Sequence, residues 1–107
     1  SGCGPNCQNT CQLIFDESEC GIKKPGLNAD EMINDCVAEC EDALQHAGTT
    51  GDYDPTHRYN SAQQGSASLD NEAQAAAWMN CVWEMAPEAT DEQCQNLDPS
   101  VGYCAPI

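Results

Sequence analysis

The sequence contains few large apolar residues. Leu, Ile, Val and Phe together number 13 of the 107 residues, and a fraction this low combined with a high net charge is typical of a disordered chain. Such a chain cannot offset its conformational entropy by burying apolar surface alone. A folded state of this protein therefore needs a second source of stability.

Basic residues are almost absent as well. The chain has three Lys and Arg residues against 18 Asp and Glu, which gives a formal net charge of -15. A surface this negative repels polyanions, so nucleic acid and anionic lipid are excluded as partners. We expect a cationic or neutral partner instead.

Long hydrophobic runs are also missing. No stretch approaches 18 consecutive apolar residues, so membrane insertion is not expected. The chain starts at Ser1 without an initiator Met, a charged leader or an apolar leader segment, as a mature product does after removal of its signal peptide, although a cloning remnant would look the same. We expect a secreted, extracellular protein.

Cysteine is what the sequence has in abundance. Nine cysteines in a chain of this length are typical of a secreted protein stabilised by disulfides, each of which contributes about 2 to 4 kcal/mol. Structural zinc is the alternative, but it requires reduced thiolates, so neither a metal nor another cofactor is expected. The predicted disulfide framework consists of Cys3, Cys7, Cys11, Cys20, Cys36, Cys40, Cys81, Cys94 and Cys104.

Helical periodicity recurs along the chain and predicts an all-α fold. We expect a small disulfide-stapled bundle of three main helices plus a short fourth helix, within a single domain spanning residues 1–107. The predicted helices cover residues of about 5–16, 29–47, 69–86 and 91–96, with a long irregular loop at about 48–68.

Residues with capping propensity mark the start of each helix. Pro5 suits the first position of the first helix, because its missing N–H needs no partner there. Asn28 or Asp30 can cap the second helix, and Ser68 or Asp70 the third. Thr90 and Gln93 have the spacing of a capping box at the fourth.

Two sets of cysteines line helix faces. Cys7 and Cys11 are four residues apart, as are Cys36 and Cys40, so two antiparallel helices could be joined most simply by Cys7–Cys40 and Cys11–Cys36 bonds. Spacing alone does not fix the pairing, since four bonds among nine cysteines can be made in hundreds of ways. The ninth cysteine must be unpaired, joined to another chain or capped by a small thiol.

The unpaired cysteine and the second tryptophan are the residues whose placement is least constrained. Cys20 and Cys104, beside a joint and near the C-terminus, are the positions where an exposed leftover cysteine would be sterically easiest. Trp78 belongs to an apolar helical stripe, whereas Trp83 is rotated from it by about 140°. We expect Trp83 to pack under the long loop, and an indole exposed for a partner is the alternative.

The long loop contains the candidate binding residues. A nucleophilic thiol would need a nearby base, and the string "GDYDPTHRYN" lacks both the helical setting of a phospholipase histidine and the terminal Glu of a calcium loop. No enzyme activity is therefore expected. Aromatic and mixed-charge groups favour protein contacts, and here they are Asp52, Tyr53, Asp54, His57, Arg58 and Tyr59.

The combination of acidity, cysteine spacing and helical pattern resembles the water-borne pheromones of the ciliate Euplotes. The resemblance is carried by "CVAEC" at residues 36–40, the "CGPNCQNTC" opening and the low basic count. It implies a diffusible signalling protein that binds a cell-surface receptor and self-associates through helix faces. The chain is longer than the best-known pheromones and adds the loop at residues 49–68.

A second class of protein fits the same composition. Secreted fungal or oomycete effectors and elicitors are also small and cysteine-stapled, and they bind a host protein or carry a lipid. The Ala-rich third helix leaves little material for the wall of a lipid cavity. A pheromone-like signal is therefore the first expectation and an effector or elicitor the alternative.

Overall fold

The computed structural model describes residues 4–48, 54 and 68–106. Within them the chain forms four helices and no strand, which confirms the all-α fold. The helices are α1 (Cys7–Phe15), α2 (Ala29–Leu44), α3 (Glu72–Met85) and α4 (Asp91–Gln95). The three longer helices contact one another pairwise and enclose the core.

Side-chain caps make the first helix shorter than its pattern predicts. The Asn6 side chain accepts the N–H of Asn9 at 2.7 Å, and the Asn9 side chain accepts the N–H of Asn6 at 2.9 Å. Asn6 is therefore the cap, and the placement of Pro5 inside the helix is wrong. α1 ends at Phe15, because Asp16 adopts an extended conformation.

The other caps also differ in part from expectation. Asn28 and Glu31 form the capping box of α2, which ends at Leu44 rather than near residue 47. Asn71 caps α3, so neither Ser68 nor Asp70 does.

The short α4 is capped by half of the predicted box. The Thr90 hydroxyl accepts the Gln93 N–H at 3.2 Å. The Gln93 side chain instead accepts the N–H of Glu88 at 2.8 Å, so it does not return to Thr90. The pattern predicted the start of this helix correctly, but the second half of the predicted box does not form.

Two disulfides join α1 to α2 with the expected pairing. Cys7 bonds to Cys40 and Cys11 bonds to Cys36, with Cα atoms 5.7 and 5.9 Å apart. The first cysteine of one helix meets the last of the other, so the helices run antiparallel. The predicted hairpin is confirmed.

The remaining two disulfides involve the later segments of the chain. Cys20 bonds to Cys94 and thereby ties α4 to the segment after α1, and Cys81 of α3 bonds to Cys104. The expectation that Cys20 or Cys104 is the leftover cysteine is therefore wrong. All eight cysteines within the described residues are paired, and Cys3 lies outside those residues.

Both tryptophans pack against the protein. Trp78 is buried, and its Nε1–H is shared between the carbonyl oxygens of Cys104 at 3.0 Å and Pro106 at 3.1 Å. Trp83 is half-buried and donates its Nε1–H to the hydroxyl of Thr10 in α1 at 3.0 Å. Trp83 is thus packed rather than exposed for a partner, and Thr10 of α1 is a partner that the sequence did not predict. The long loop under which it was expected to pack lies almost wholly outside the described residues.

None of the helices described here is long and apolar enough to cross a membrane.

Candidate functional site

The predicted binding loop falls almost wholly outside the described residues. Asp54 alone is described, and it is exposed. The other five candidates, Asp52, Tyr53, His57, Arg58 and Tyr59, lie outside. The loop therefore stays a prediction, and the candidate site built below comes from the helical part of the chain.

An apolar groove opens beside the joint between α1 and α2. We call it the Leu27 groove, after the exposed residue at its mouth. Its lining residues are Phe15, Lys24, Leu27, Met32, Asp35, Cys36, Glu39, Leu69, Trp78 and Pro106.

A tight turn places the exposed residue at the mouth of the groove. The Leu27 N–H donates to the Lys24 carbonyl at 3.3 Å, with Pro25 and Gly26 between them and a φ of +81° at Gly26. Pro followed by a residue with positive φ is the signature of a type II turn, which favours glycine at that second position. The turn leaves Leu27 40% exposed.

The inner lining of the groove is apolar and buried. Phe15, Met32 and Trp78 are each less than 5% exposed, and Leu69 is 8% exposed. They come from α1, α2, α3 and the segment that precedes α3. The groove is thus a place where three helices meet without closing completely.

One wall of the groove is a stripe of α2 that carries two carboxylates. Met32, Asp35, Cys36 and Glu39 recur at i, i+3, i+4 and i+7 and so share one helix face. Asp35 and Glu39 are exposed, and within the described part of the chain neither has an ion-pair partner. The Cys11–Cys36 disulfide fixes this stripe against α1.

The lining of the groove also carries positive charge. The Lys24 Nζ lies 5.4 Å from the centre of the Phe15 ring, within the range of a cation–π contact. Neighbouring Lys23 lies 3.9 Å from Glu17, and both of those side chains are largely exposed. Two of the three basic residues of the chain therefore lie in this joint.

The size of the groove limits what it can hold. Its volume is about 90 Å³, well below the roughly 300 to 1,000 Å³ of pockets that enclose drug-sized ligands. It can admit one large side chain but cannot enclose a sterol or a fatty acid. The groove is suited to protein contact.

Groups that could bind a metal ion or act as a nucleophile were sought among the described residues. They contain no group of three or more His, Cys, Asp and Glu side chains that could hold a metal ion. Their cysteines are all in disulfides. His46 is exposed after α2, with its Nε2 3.7 Å from Asp42.

Two carboxylates outside the groove have perturbed ionisation. Asp16 and Asp98 each accept a backbone N–H at 2.9 Å and a hydroxyl at 2.7 Å from the serine two residues later. At Asp16 the backbone bond from Ser18 is the larger cause of a lowered pKa, whereas at Asp98 the side-chain bond from Ser100 is. These hydrogen bonds favour the charged form of each carboxylate. They stabilise turns and point to no ligand.

The groove beside residues 21–28 is not among the sites predicted from the sequence. Three signals for it are present: two neighbouring lysines in a chain of charge -15, a Pro-Gly turn, and a leucine directly after it. No local pattern predicts that Trp78 and Leu69 line the same groove as the acidic stripe of α2.

Comparisons with the known protein families, with curated proteins and with solved structures each return no match to this chain.

Proposed function

We propose that this chain is a secreted, water-borne signalling protein of the pheromone type, which binds a receptor on a cell surface through its own surface. The observation that carries the proposal is the set of four disulfides that join all eight described cysteines. Disulfides at this density persist in oxidising environments outside the cytosol. A chain stapled in this way presents a preorganised surface, which loses less entropy on binding than a flexible one.

The size of the Leu27 groove favours a protein partner over a carried small molecule. A carrier needs a cavity that encloses its cargo, and this groove holds about 90 Å³. That observation favours contact with a protein at this groove over enclosure of a small molecule there.

Binding to intact cells tests the proposal. Metabolically radiolabelled, oxidised protein is added to living cells of the source organism and, separately, to cells of its potential hosts. We expect saturable binding to source-organism cells that unlabelled protein displaces, followed by a response of those cells. Binding and response confined to host cells would establish the effector alternative instead.

Two controls accompany the cell experiment. The reduced and alkylated protein has the same sequence and should not bind, because the surface that the disulfides hold together is lost. A chelator should leave binding unchanged, since the proposed contact uses no metal. Sensitivity to the chelator would contradict the proposed mode of binding.

Self-association through helix faces belongs to the same proposal. Two copies that each carry a charge of -15 repel one another, so we expect association only at high protein concentration and with the charge screened by salt. Sedimentation equilibrium over a concentration series, at low and high salt, measures it. A monomer under all conditions would exclude this part of the proposal.

A further inference from the structure

We infer that the Leu27 groove binds a basic segment of the partner protein, in which one large apolar side chain enters the groove and a neighbouring Lys or Arg pairs with Asp35 and Glu39. The inference rests on the proposed function, because it names the chemistry that a receptor would present. Its evidence is the combination of an apolar groove and an acidic wall that forms no ion pair within the described residues.

The apolar half of the inference follows from how the groove is lined. Leu27 holds a large aliphatic side chain 40% exposed in a protein that has very few of them. It lies at the mouth of a groove whose inner wall is formed by Met32 and Trp78. A partner side chain placed here would bury the exposed part of Leu27, and burial of apolar surface is the main driving force of association.

The charged half follows from the position of the two carboxylates. Asp35 and Glu39 lie one helical turn apart on the same stripe that lines the groove. Among the described residues neither forms an ion pair, and Lys24, which lines the same groove, lies with its Nζ 5.4 Å from the centre of the Phe15 ring. A planar guanidinium can bond a carboxylate through two N–H groups, so Arg is the residue that best complements this wall.

Charge and size also argue against other occupants of the groove. A second copy of the chain would bring a charge of -15 to an acidic wall, which costs free energy. A lipid or other drug-sized molecule is not enclosed by a volume of about 90 Å³. Both the charge of the wall and the volume of the groove therefore favour a basic segment of a partner protein. The negative electrostatic field of the whole protein would also raise the rate at which such a segment associates.

Peptide binding followed by nuclear magnetic resonance tests the inference on the intact, oxidised protein. The probe is a short capped peptide with one leucine between two arginines in a glycine and serine background. Two control peptides replace the leucine by serine or both arginines by glutamate. In about 0.15 M NaCl, where long-range charge effects are screened, we expect only the first peptide to shift the amide signals of residues 24–39 and of Trp78.

Matched variants locate the contact. Leu27→Ser should weaken peptide binding by at least about fivefold, because an apolar contact is lost. Leu44→Ser serves as its control, since Leu44 is 41% exposed and lies outside the groove lining. All variants must retain the helical circular dichroism and the disulfides of the parent protein.

A second pair of variants, one inside the groove and one outside it, tests the acidic wall. Asp35→Asn combined with Glu39→Gln should also weaken binding by at least about fivefold. Glu41→Gln combined with Glu84→Gln removes the same charge from exposed positions outside the groove and should change binding less than about twofold.

Several results would overturn the inference. Equal binding of the leucine and serine peptides would show attraction by net charge alone. Equal losses in the groove variants and their controls, or no binding of the first peptide, would contradict the site. Shifts of the groove signals with protein concentration in the absence of peptide would identify a second copy as the occupant.

Failure of the inference can be told apart from failure of the proposed function. If Leu27→Ser protein binds source-organism cells as well as the parent protein does, the groove is not the contact and the signalling proposal stands. If the peptide binds the groove and no source-organism cell binds the protein, the signalling proposal fails and the groove assignment stands.

Discussion

At the scale of single residues, the hydrogen bond between Trp83 and Thr10 links α3 to α1. The Nε1–H of Trp83 donates to the Thr10 hydroxyl at 3.0 Å, and Thr10 is fully buried. Thr10→Val keeps the shape of the side chain but removes the acceptor. We expect it to lower the free energy of unfolding by about 1 to 3 kcal/mol, because the indole N–H loses its partner.

Denaturant titration under non-reducing conditions measures this loss. Trp83→Phe and the double variant complete a double-mutant cycle, which isolates the pairwise contribution from the loss of packing. Strictly additive effects of the two substitutions would show that the hydrogen bond contributes nothing to stability.

The two Asp–Ser turns give a second residue-scale prediction. At Asp98 the side-chain hydrogen bond is the larger cause of the lowered pKa, whereas at Asp16 the backbone hydrogen bond is. Ser100→Ala should therefore raise the pKa of Asp98 more than Ser18→Ala raises that of Asp16. Carbon-detected titration of the carboxyl groups measures both, and equal shifts would contradict the assignment of causes.

The lowered pKa values also predict how the stability of the folded protein changes at acid pH. A carboxylate whose pKa is lower in the folded state than the ordinary value of 3.8 favours the folded protein above that pH. This contribution disappears as the pH falls through the lower, folded-state pKa. Ser100→Ala should accordingly lose less stability than the parent protein as the pH drops below about 4, as denaturant midpoints across that range will show.

At the scale of elements, α4 depends on its covalent attachment. The helix has five residues, which is too short to be stable in isolation. The Cys20–Cys94 bond ties it to the segment after α1. Replacing both cysteines by alanine should lower the hydrogen-exchange protection of the α4 amides by at least about tenfold relative to those of α1 and α2.

The α1–α2 hairpin supplies the internal control for that experiment. It keeps the Cys7–Cys40 and Cys11–Cys36 bonds in the variant, so its protection should change little. Equal loss of protection in α4 and in the hairpin would mean that the bundle opens as one unit. Unchanged protection of α4 would mean that buried contacts next to the helix, such as those of Leu97, suffice without the bond.

At the scale of the whole molecule, net charge opposes folding. A charge of -15 on 107 residues repels itself most strongly in the compact state. Raising NaCl from about 0.01 M to about 0.5 M shortens the screening length several-fold. We therefore expect the thermal midpoint of the oxidised protein to rise over this range, and a constant or falling midpoint in calorimetry would contradict the expectation.

The last prediction concerns the number of disulfides and remaining thiols in the intact protein. The eight cysteines of residues 4–48 and 68–106 form four disulfides, and Cys3 completes the nine. The intact protein should contain four intrachain bonds and one further thiol equivalent, which is free, capped by a small thiol or bonded to another chain.

Mass spectrometry and circular dichroism test the cysteine count and its consequence. Alkylation before and after reduction, followed by peptide mapping, should assign the single equivalent to Cys3. Full reduction should abolish cooperative unfolding, because the apolar core is too small to hold the chain alone. Four or more free thiols, or a reduced protein that keeps its helices and its melting transition, would contradict the disulfide framework.

The sequence by itself determined the helical architecture and much of its stapling. The all-α fold and the pairing of Cys7 with Cys40 and Cys11 with Cys36 were predictable, because periodicity and cysteine spacing are local properties that a helix projects directly onto one face. The cap of α2 at Asn28 was among the predicted alternatives for the same reason. The predicted binding loop is not tested by the described residues.

Only the tertiary structure decided the features that depend on distant segments. The Cys20–Cys94 bond joins residues 74 positions apart, and the Leu27 groove brings together residues from Phe15 to Pro106. No local pattern encodes which segments meet, because that choice minimises the free energy of the whole chain. The groove exists because three helices and the chain segments between them approach one another without filling the space that they enclose.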